Sequence, residues 1–242
     1  MDNAFLSFVQ AVEEQRRELR CSNSGAFFRG HSRSSYRLIP SLLRADLPYE
    51  VEHNLYHECF ARAGALVSRD ATSWERLAFL QHYGIPTRLL DWTESFGIAL
   101  FFAVHGDVHE PQLWIANAFN MNRSIEQVRR SRIMLAGLDA IPDYHETFIR
   151  VEDRKPWPFR KPLFLSIPWG TDRLRAQGGF FTFHPDATPL DVAHEKYVRA
   201  VTIPPEALNG ARQFLAHAGI TEYTVFPDFV GFAAFIRKRY GL

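Results

Sequence analysis

The sequence predicts a single α+β domain in which helices pack against mixed or antiparallel sheets. Several segments place apolar residues at helical spacing, others are short apolar runs typical of strands, and the two kinds do not alternate regularly. A length of 242 residues fits one mixed domain over 1–242. Hydrophobic residues make up 46% of the chain and Phe occurs 21 times, which predicts a large aromatic core.

Predicted helices and short strands are intermixed in the first half of the chain. Helices are predicted at 4–19 (within an N-terminal helical segment, 1–25), 50–68, 74–82 and 94–104, strands at 26–28 and 113–116, and a loop or strand at 87–93. Gly84 and Pro86 are expected to end the third helix, because proline cannot continue it without losing a hydrogen bond. Thr93 is expected to cap the fourth.

Prolines interrupt the middle of the chain, so about 120–162 is predicted to be an irregular insertion, or a lid over the site. Beyond it, strands are expected at 164–167, 180–183 and 197–203, and helices at 205–217 and 229–240. A short strand is expected to carry Glu222 into a turn, where Asp228 caps the last helix.

Composition and charge argue against several classes of protein. A formal net charge of +1 does not encode a strongly basic surface. Cys21 and Cys59 fit no disulfide framework or zinc pattern, which favours a reducing, cytoplasmic location. The start of the chain lacks the pattern of a signal peptide, and the apolar run 98–104 is too short to span a bilayer. No membrane partner is therefore expected.

The segment Phe28-Arg29-Gly30-His31 places an arginine at the end of a predicted strand. Its guanidinium could clamp a phosphate or carboxylate, and Gly30 would let a ligand or another backbone approach closely. The alternative is a structural arginine that pairs with an acidic neighbour. Spacing alone leaves both interpretations open.

A second polar segment runs from Gln81 to Thr93. His82, Tyr83, Arg88 and Asp91 fall within it, at the junction of two predicted helices. Polar side chains ahead of a helix can join free backbone N–H groups in holding an anion, and a buried apolar helix would hold the turn rigidly. The alternative is a capped turn in which Arg88 and Asp91 pair with each other.

Two downstream residues also carry functional groups. Gln177, followed by a Gly-Gly turn, could bond a ligand or simply the loop backbone. Glu222 is either a surface carboxylate or a catalytic one, which would need a partner and a dry setting. No metal is expected, because His53 and His57 could share a helix face but a third ligand is not evident. The chain has no P-loop and no Gly-x-Ser-x-Gly elbow.

The order of these motifs resembles the FRG domain family, named for its Phe-Arg-Gly motif. The matching segments are Phe28-Arg29-Gly30-His31, Leu80 to Thr93, Gln177-Gly178-Gly179-Phe180 and Phe226-Pro227-Asp228. Together they span most of the chain, and the second block is long and specific. The sequence departs from the family pattern at two places. His31 stands where Gln is also common in the family, and Phe229-Val230-Gly231 replaces a more acidic Leu-Asp-Gly ending.

A second resemblance is to ADP-ribosyltransferases, some of which place an Arg-Gly pair on an early strand against the phosphates of NAD. It implies that Arg29 holds these phosphates, and that Thr93 or Ser95 matches a Ser-Thr-Ser segment. It also implies that Glu222, or Gln177 in its place, contacts the ribose near an oxocarbenium-like transition state. The implied catalytic residues are Arg29, His82 and Glu222. The implied nucleotide-binding residues are Arg29, Gly30, His31, Tyr83, Arg88, Asp91, Thr93 and Gln177.

Three functions are compatible with these motifs. The first is an NAD-consuming ADP-ribosyltransferase or NAD glycohydrolase that acts on protein or nucleic acid, in a bacterial toxin or phage-defence system. The second is a nucleotide or nucleic-acid binding module without catalysis, whose binding would depend strongly on salt. The third is a protein-interaction domain in which the motifs only stabilise the fold.

Overall fold

The computed structural model describes residues 3–22, 25–128, 132–168 and 170–242. Within these ranges the strands are β1 (Ala26–His31), β2 (Leu89–Thr93), β3 (Gln112–Asn117), β4 (Met134–Leu135), β5 (Leu163–Ser166), β6 (Gly179–Phe183) and β7 (Val198–Thr202). The α-helices there are α1 (Asn3–Glu18), α2 (Ser41–Arg44), α3 (Tyr49–Ala63), α4 (Ser73–His82), α5 (Phe96–Val104), α6 (Ala118–Arg123), α7 (Asp172–Ala176), α8 (Leu190–Ala193), α9 (Leu208–His217), α10 (Glu222–Val225) and α11 (Phe229–Tyr240). The predicted α+β class is confirmed.

The seven strands form one mixed sheet in the order β4-β5-β6-β2-β1-β3-β7. Neighbouring strands are antiparallel except β4 and β5, which are parallel. Near the middle of the sheet, β1 and β2 share a single register pair, Phe28 with Thr93, whereas β1 and β3 pair along the whole of β1. The sheet therefore has a seam between β1 and β2, where the two strands separate beyond that pair.

Aromatic side chains fill the core on both sides of the sheet, as the Phe content predicts. On one side α1, α5 and α9 bury residues such as Phe5, Phe8 and Phe28. On the same side, beyond the seam, a cluster around Trp74 and Phe183 joins α4 to the strands β5 and β6, whereas the opposite side buries a third cluster around Phe27 and Trp92. Each large aromatic side chain removes a wide apolar surface from water, which is the main favourable contribution to folding.

Gly30 lies where α5 crosses β1. A Cβ atom at this position would come within 2.0 Å of the backbone oxygen of Ala99 and 2.5 Å of the backbone nitrogen of Ala103. Gly30 therefore allows the backbone of α5 to approach β1 closely. Helix α5 is apolar and almost entirely buried, so it holds β1 in a fixed position.

The cap of α5 differs from the prediction. Ser95, rather than Thr93, accepts a hydrogen bond from the backbone N–H of Ile98 and so caps the helix. Thr93 remains the last residue of β2, where it pairs with Gly179, and its hydroxyl donates to the carbonyl of Gln177 at 2.5 Å. The prediction that Asp228 caps the last helix is confirmed by its bond from the N–H of Gly231.

Three other local predictions are corrected. The segment around Glu222 is a helical turn instead of a strand, because Thr221 and Thr224 form a reciprocal cap. The second helix ends at Ala63 and a 3-10 turn follows it. The segment 120–162 is less irregular than predicted in its described part: it holds most of α6, the edge strand β4 and a π-helix, His145–Ile149. Its role as a lid stays a prediction.

None of the helices in the described ranges combines the length and the hydropathy that crossing a bilayer requires.

Candidate functional site

A cavity of about 640 Å³ opens beside the seam between β1 and β2. Its walls come from these two strands, from α4, α5 and α7, and from the segment that follows α3. The size is within the range of cavities that bind small molecules and cofactors. It brings together Arg29, Gln81, His82, Asp91, Thr93 and Gln177.

Arg29 is held from two sides at the cavity wall. Its Nη1 donates to the backbone carbonyl of Asp91 at 2.6 Å, and its Nε lies 3.0 Å from Nε2 of His31. No described residue bonds its Nη2, and 22% of the side chain is exposed. Burial lowers the pKa of Arg29, against the opposing charge of Asp91, yet an arginine stays cationic at neutral pH. The guanidinium is thus pre-oriented with donor capacity to spare.

His31 supports Arg29 and does not line the cavity. The ring is buried, and the indole N–H of Trp114 approaches Nδ1 at 3.2 Å while Arg29 approaches Nε2. A neutral imidazole accepts at one nitrogen only, so its tautomer decides which contact is a hydrogen bond. Burial and the neighbouring charge of Arg29 lower the pKa of His31 to about 3. The ring is therefore uncharged at neutral pH and adds no cation of its own.

The carboxylate of Asp91 is fixed by a chain of side-chain hydrogen bonds. Gln81 donates through Nε2 to Asp91 at 2.8 Å, and Thr87 donates to Oε1 of Gln81 at 2.6 Å. The hydroxyl of Thr87 in turn accepts from the backbone N–H of Leu89. More than half of the Asp91 side chain, 53%, remains exposed. This relay orients a charged group at the cavity wall without burying it.

Thr93 and Gln177 form the wall across the seam. The hydroxyl of Thr93 donates to the carbonyl of Gln177, and Nε2 of Gln177 donates to the carbonyl of Val225 at 3.1 Å. No described residue bonds Oε1 of Gln177. Gly178 follows with a φ of +52°, a conformation that favours glycine and lets the chain turn into β6. The Gln-Gly-Gly motif thus positions an amide oxygen that a ligand hydroxyl can reach.

Arg173 is a second guanidinium at the cavity that the sequence analysis did not assign to the site. Its Nη1 donates to the carbonyl of His82 at 3.1 Å, and its plane lies over the ring of Phe226, 4.7 Å from the centroid. Burial lowers its pKa, against the opposing charges of Asp91 and Asp228. Asp91 therefore lies within electrostatic reach of both Arg29 and Arg173. The sequence around Arg173, four residues before Gln177, gives no indication of this role, because the partners of Arg173 are distant in sequence.

Residues 24–112 match the family model of the FRG domain. The chain contains an FRG domain. The matched stretch includes β1, α4, β2 and α5, and so carries Arg29, Gln81 and Asp91. No curated protein and no solved structure matches the chain, so the resemblance to ADP-ribosyltransferases is not shown by these comparisons.

His82 and Tyr83 of the FRG domain are placed differently. His82 lines the cavity, and its pKa is lowered by burial and by the charge of Arg173. Tyr83 is not among the lining residues; its ring packs on Phe79 and His82, and 67% of the residue is exposed. A neutral His82 can donate or accept a hydrogen bond inside the cavity.

Arg88 is not brought to the cavity. Its guanidinium forms a bidentate pair with Glu52, donates to the carbonyl of Pro185 at 2.7 Å, and lies over the ring of Phe148. The hydroxyl of Tyr144 also donates to Glu52. The expected alternative of a structural arginine therefore fits Arg88, but the acidic partner is Glu52 instead of Asp91. This network joins α3 to β2 and the π-helix.

Glu222 is likewise absent from the Arg29 cavity. It lies in a second cavity, where Lys238 donates to its carboxylate at 2.6 Å and His105 lies 3.8 Å away. Burial acts to raise the pKa of Glu222, but the bond from Lys238 and the nearby positive charges outweigh it and lower the pKa. Among the residues that the structure describes, no group of three or more His, Cys, Asp or Glu side chains is arranged to hold a metal ion.

Proposed function

We propose that this FRG-domain protein binds NAD or a closely related nucleotide in the Arg29 cavity and consumes bound NAD by breaking the bond between nicotinamide and ribose. The observation that carries the proposal is Arg29 itself, fixed from two sides with Nη2 left for a ligand. A guanidinium held in this way loses little conformational entropy when it binds a phosphate, and its planar fork suits phosphate oxygens.

The second guanidinium supports a ligand with two phosphates. Arg29 and Arg173 line the same cavity, and each is anchored by a bond to a backbone carbonyl. A pyrophosphate has oxygens on two neighbouring phosphorus atoms, so it can accept from both cations at once. Apolar surface from Phe79 and Phe102 adds room for a planar ring.

Breaking the nicotinamide–ribose bond needs a negative charge near the developing oxocarbenium ion. The electron pair leaves with nicotinamide, and water or a target side chain then attacks the ribose carbon and loses a proton. In this proposal the charge comes from Asp91, which is exposed in the cavity, and Glu222 has no part because it lies elsewhere. Such a reaction would suit a toxin or a phage-defence protein, since losing NAD stops the metabolism of the cell.

One observation favours a second candidate function, which is nucleotide binding without turnover. Gln177 stands across the seam from Arg29, where the resemblance to ADP-ribosyltransferases implies a late carboxylate. An amide can bond a ribose hydroxyl, but it carries no charge to stabilise a cation. The two candidates therefore differ in turnover and agree on binding.

The test combines calorimetric titration with NAD and ADP-ribose and chromatographic detection of released nicotinamide. We expect wild type to bind both ligands and release nicotinamide, and Arg29→Ala to lose at least tenfold in affinity. Arg37→Ala, which removes an exposed arginine outside the cavity, is the matched control. Asp91→Asn should keep binding and lose nicotinamide release.

Other outcomes would separate the candidates. Binding without nicotinamide release in wild type would leave the non-catalytic nucleotide binder. Release that survives in Asp91→Asn but disappears in Glu222→Gln would show that the wrong carboxylate has been assigned. No binding of either ligand by folded wild type would overturn both candidates.

A further inference from the structure

The second cavity has a volume of about 450 Å³ and lies between α5, α9 and α11. Helix α5 contributes Phe102 to the Arg29 cavity but Phe101 and Val104 to this one, so the two cavities meet different faces of the same helix. Nothing in the FRG motifs accounts for the second cavity. Of its residues only Phe101 and Val104 of α5 and His105 fall within the matched stretch.

The floor of this cavity is apolar. Besides the two residues of α5, it is formed by Leu215, Ile220 and Phe235. His105 is stacked on Phe101 with ring centroids 4.7 Å apart, which extends the flat surface. Hydrogen-bonding groups of the kind that would recognise a sugar or a base are scarce there, whereas an alkyl chain would find continuous contact.

The rim of the same cavity is cationic. Arg212, Lys238 and Arg239 surround it, and Glu222 is the one carboxylate among its lining residues. Lys238 is already paired with Glu222, whose side chain is only 7% exposed. The side chains of Arg212 and Arg239 form no hydrogen bond or ion pair with any residue that the structure describes. After the Lys238–Glu222 pair is neutralised, two arginines remain for a ligand.

We propose that this second cavity binds an amphipathic monocarboxylate, namely a medium-chain fatty acid. Its alkyl chain lies on the Phe101 side, and its carboxylate pairs with Arg212 and Arg239 at the rim. Charge complementarity decides the ligand class, because a neutral alkane would leave both cations unpaired and a polyanionic nucleotide would leave the floor unfilled. The site is independent of NAD binding at Arg29.

The experiment is calorimetric titration with octanoate, decanoate and dodecanoate below their micelle-forming concentrations, with 1-decanol as the uncharged probe. We expect affinity to rise with chain length by up to about fourfold per methylene while the chain stays buried. Decanoate should bind at least tenfold more tightly than 1-decanol. Arg29→Ala should bind fatty acids as wild type does, which separates this site from the first.

Two variants locate the site. Ala216→Trp places a large side chain in the cavity from an exposed position on α9, so the fold should persist while dodecanoate binding is lost. The double variant Arg212→Gln with Arg239→Gln should lower decanoate affinity to that of 1-decanol, whereas Arg37→Gln should not. Unchanged dodecanoate affinity in folded Ala216→Trp, or equal binding of decanoate and 1-decanol by wild type, would overturn the proposal.

Discussion

Arg29 bonds to the backbone carbonyl of Asp91 at 2.6 Å, whereas the carboxylate of Asp91 stays 3.8 Å from the guanidinium. The position of the arginine therefore depends on the path of β2 more than on the charge of its neighbour. That carboxylate is held by Gln81 instead. A substitution can consequently remove the negative charge of Asp91 without moving the guanidinium of Arg29.

The Asp91→Asn variant uses this separation. An asparagine oxygen can still accept from Gln81, and the backbone carbonyl is unchanged, so we expect the free energy of unfolding to change by less than ~1 kcal/mol. Because one negative charge near Arg29 and Arg173 is removed, affinity for ADP-ribose should rise about threefold or more at low salt. Titration at two salt concentrations measures this. A fall in affinity would mean that the carboxylate itself bonds the ligand.

Gly30→Ala should be strongly destabilising. The added Cβ would approach Ala99 and Ala103 at 2.0 and 2.5 Å through backbone atoms, so α5 would have to move away from β1. We expect a loss of about 3 kcal/mol or more in the free energy of unfolding, at the upper end for overpacking. Gly64→Ala is the matched control, because nothing lies within 4 Å of its Cβ position. Urea unfolding of both variants checks this, and equal stabilities would contradict the packing of α5.

Glu52→Gln tests the buried network of Arg88. Removing this charge leaves a guanidinium that is only 12% exposed without its partner, and breaking a buried pair typically costs about 3–5 kcal/mol. Glu58→Gln breaks the exposed pair with Arg62 and should cost less than ~1 kcal/mol. Nucleotide affinity of the folded fraction should not change. If affinity fell instead, Arg88 would contribute to the ligand site after all.

Buried histidines predict that stability falls in mild acid. Burial lowers the pKa of His31 and His184 to about 3 and that of His194 to about 4, from 6.5 in the unfolded chain. Between these values the unfolded state binds more protons, so the stability present above pH 6.5 is lost as the pH falls toward 4. Each histidine contributes ~1.4 kcal/mol per pH unit at most.

Urea unfolding at pH 7.5, 6.5, 5.5 and 4.5 measures this slope. His194→Gln keeps a polar side chain but removes one titrating group. The free energy of unfolding of this variant should therefore fall less steeply with decreasing pH, by the contribution of about one bound proton. An unchanged slope in this variant would mean that His194 is not held neutral in the folded protein.

The helices and strands were predictable where local patterns decide them. The spacing of Phe5, Phe8 and Val12 predicts α1, and Gly84 marks the end of α4, as the structure has it. The strand predicted at Glu222 is wrong, because Thr221 and Thr224 cap each other and stabilise a helical turn there.

The site was predictable only in part. The motifs named Arg29, Asp91, Thr93 and Gln177, which the fold does bring to one cavity. The partner of Arg88 lies 36 residues away, so no local pattern could distinguish Glu52 from Asp91. Contacts of this kind depend on how elements distant in sequence pack together.

The single register pair between β1 and β2 has a consequence for how the site can diversify. The matched stretch 24–112 contains the strands on both sides of the seam and both ends of the Arg29–Asp91 contact. The opposite wall, with Arg173 and Gln177, comes from sequence outside it. A protein that shares only this stretch inherits the anchored arginine but must supply its own facing wall. The residue that would bind an anion, Arg29, and the residues that would contact the rest of the ligand thus lie in separate parts of the chain. Either part can change in sequence while the other is kept.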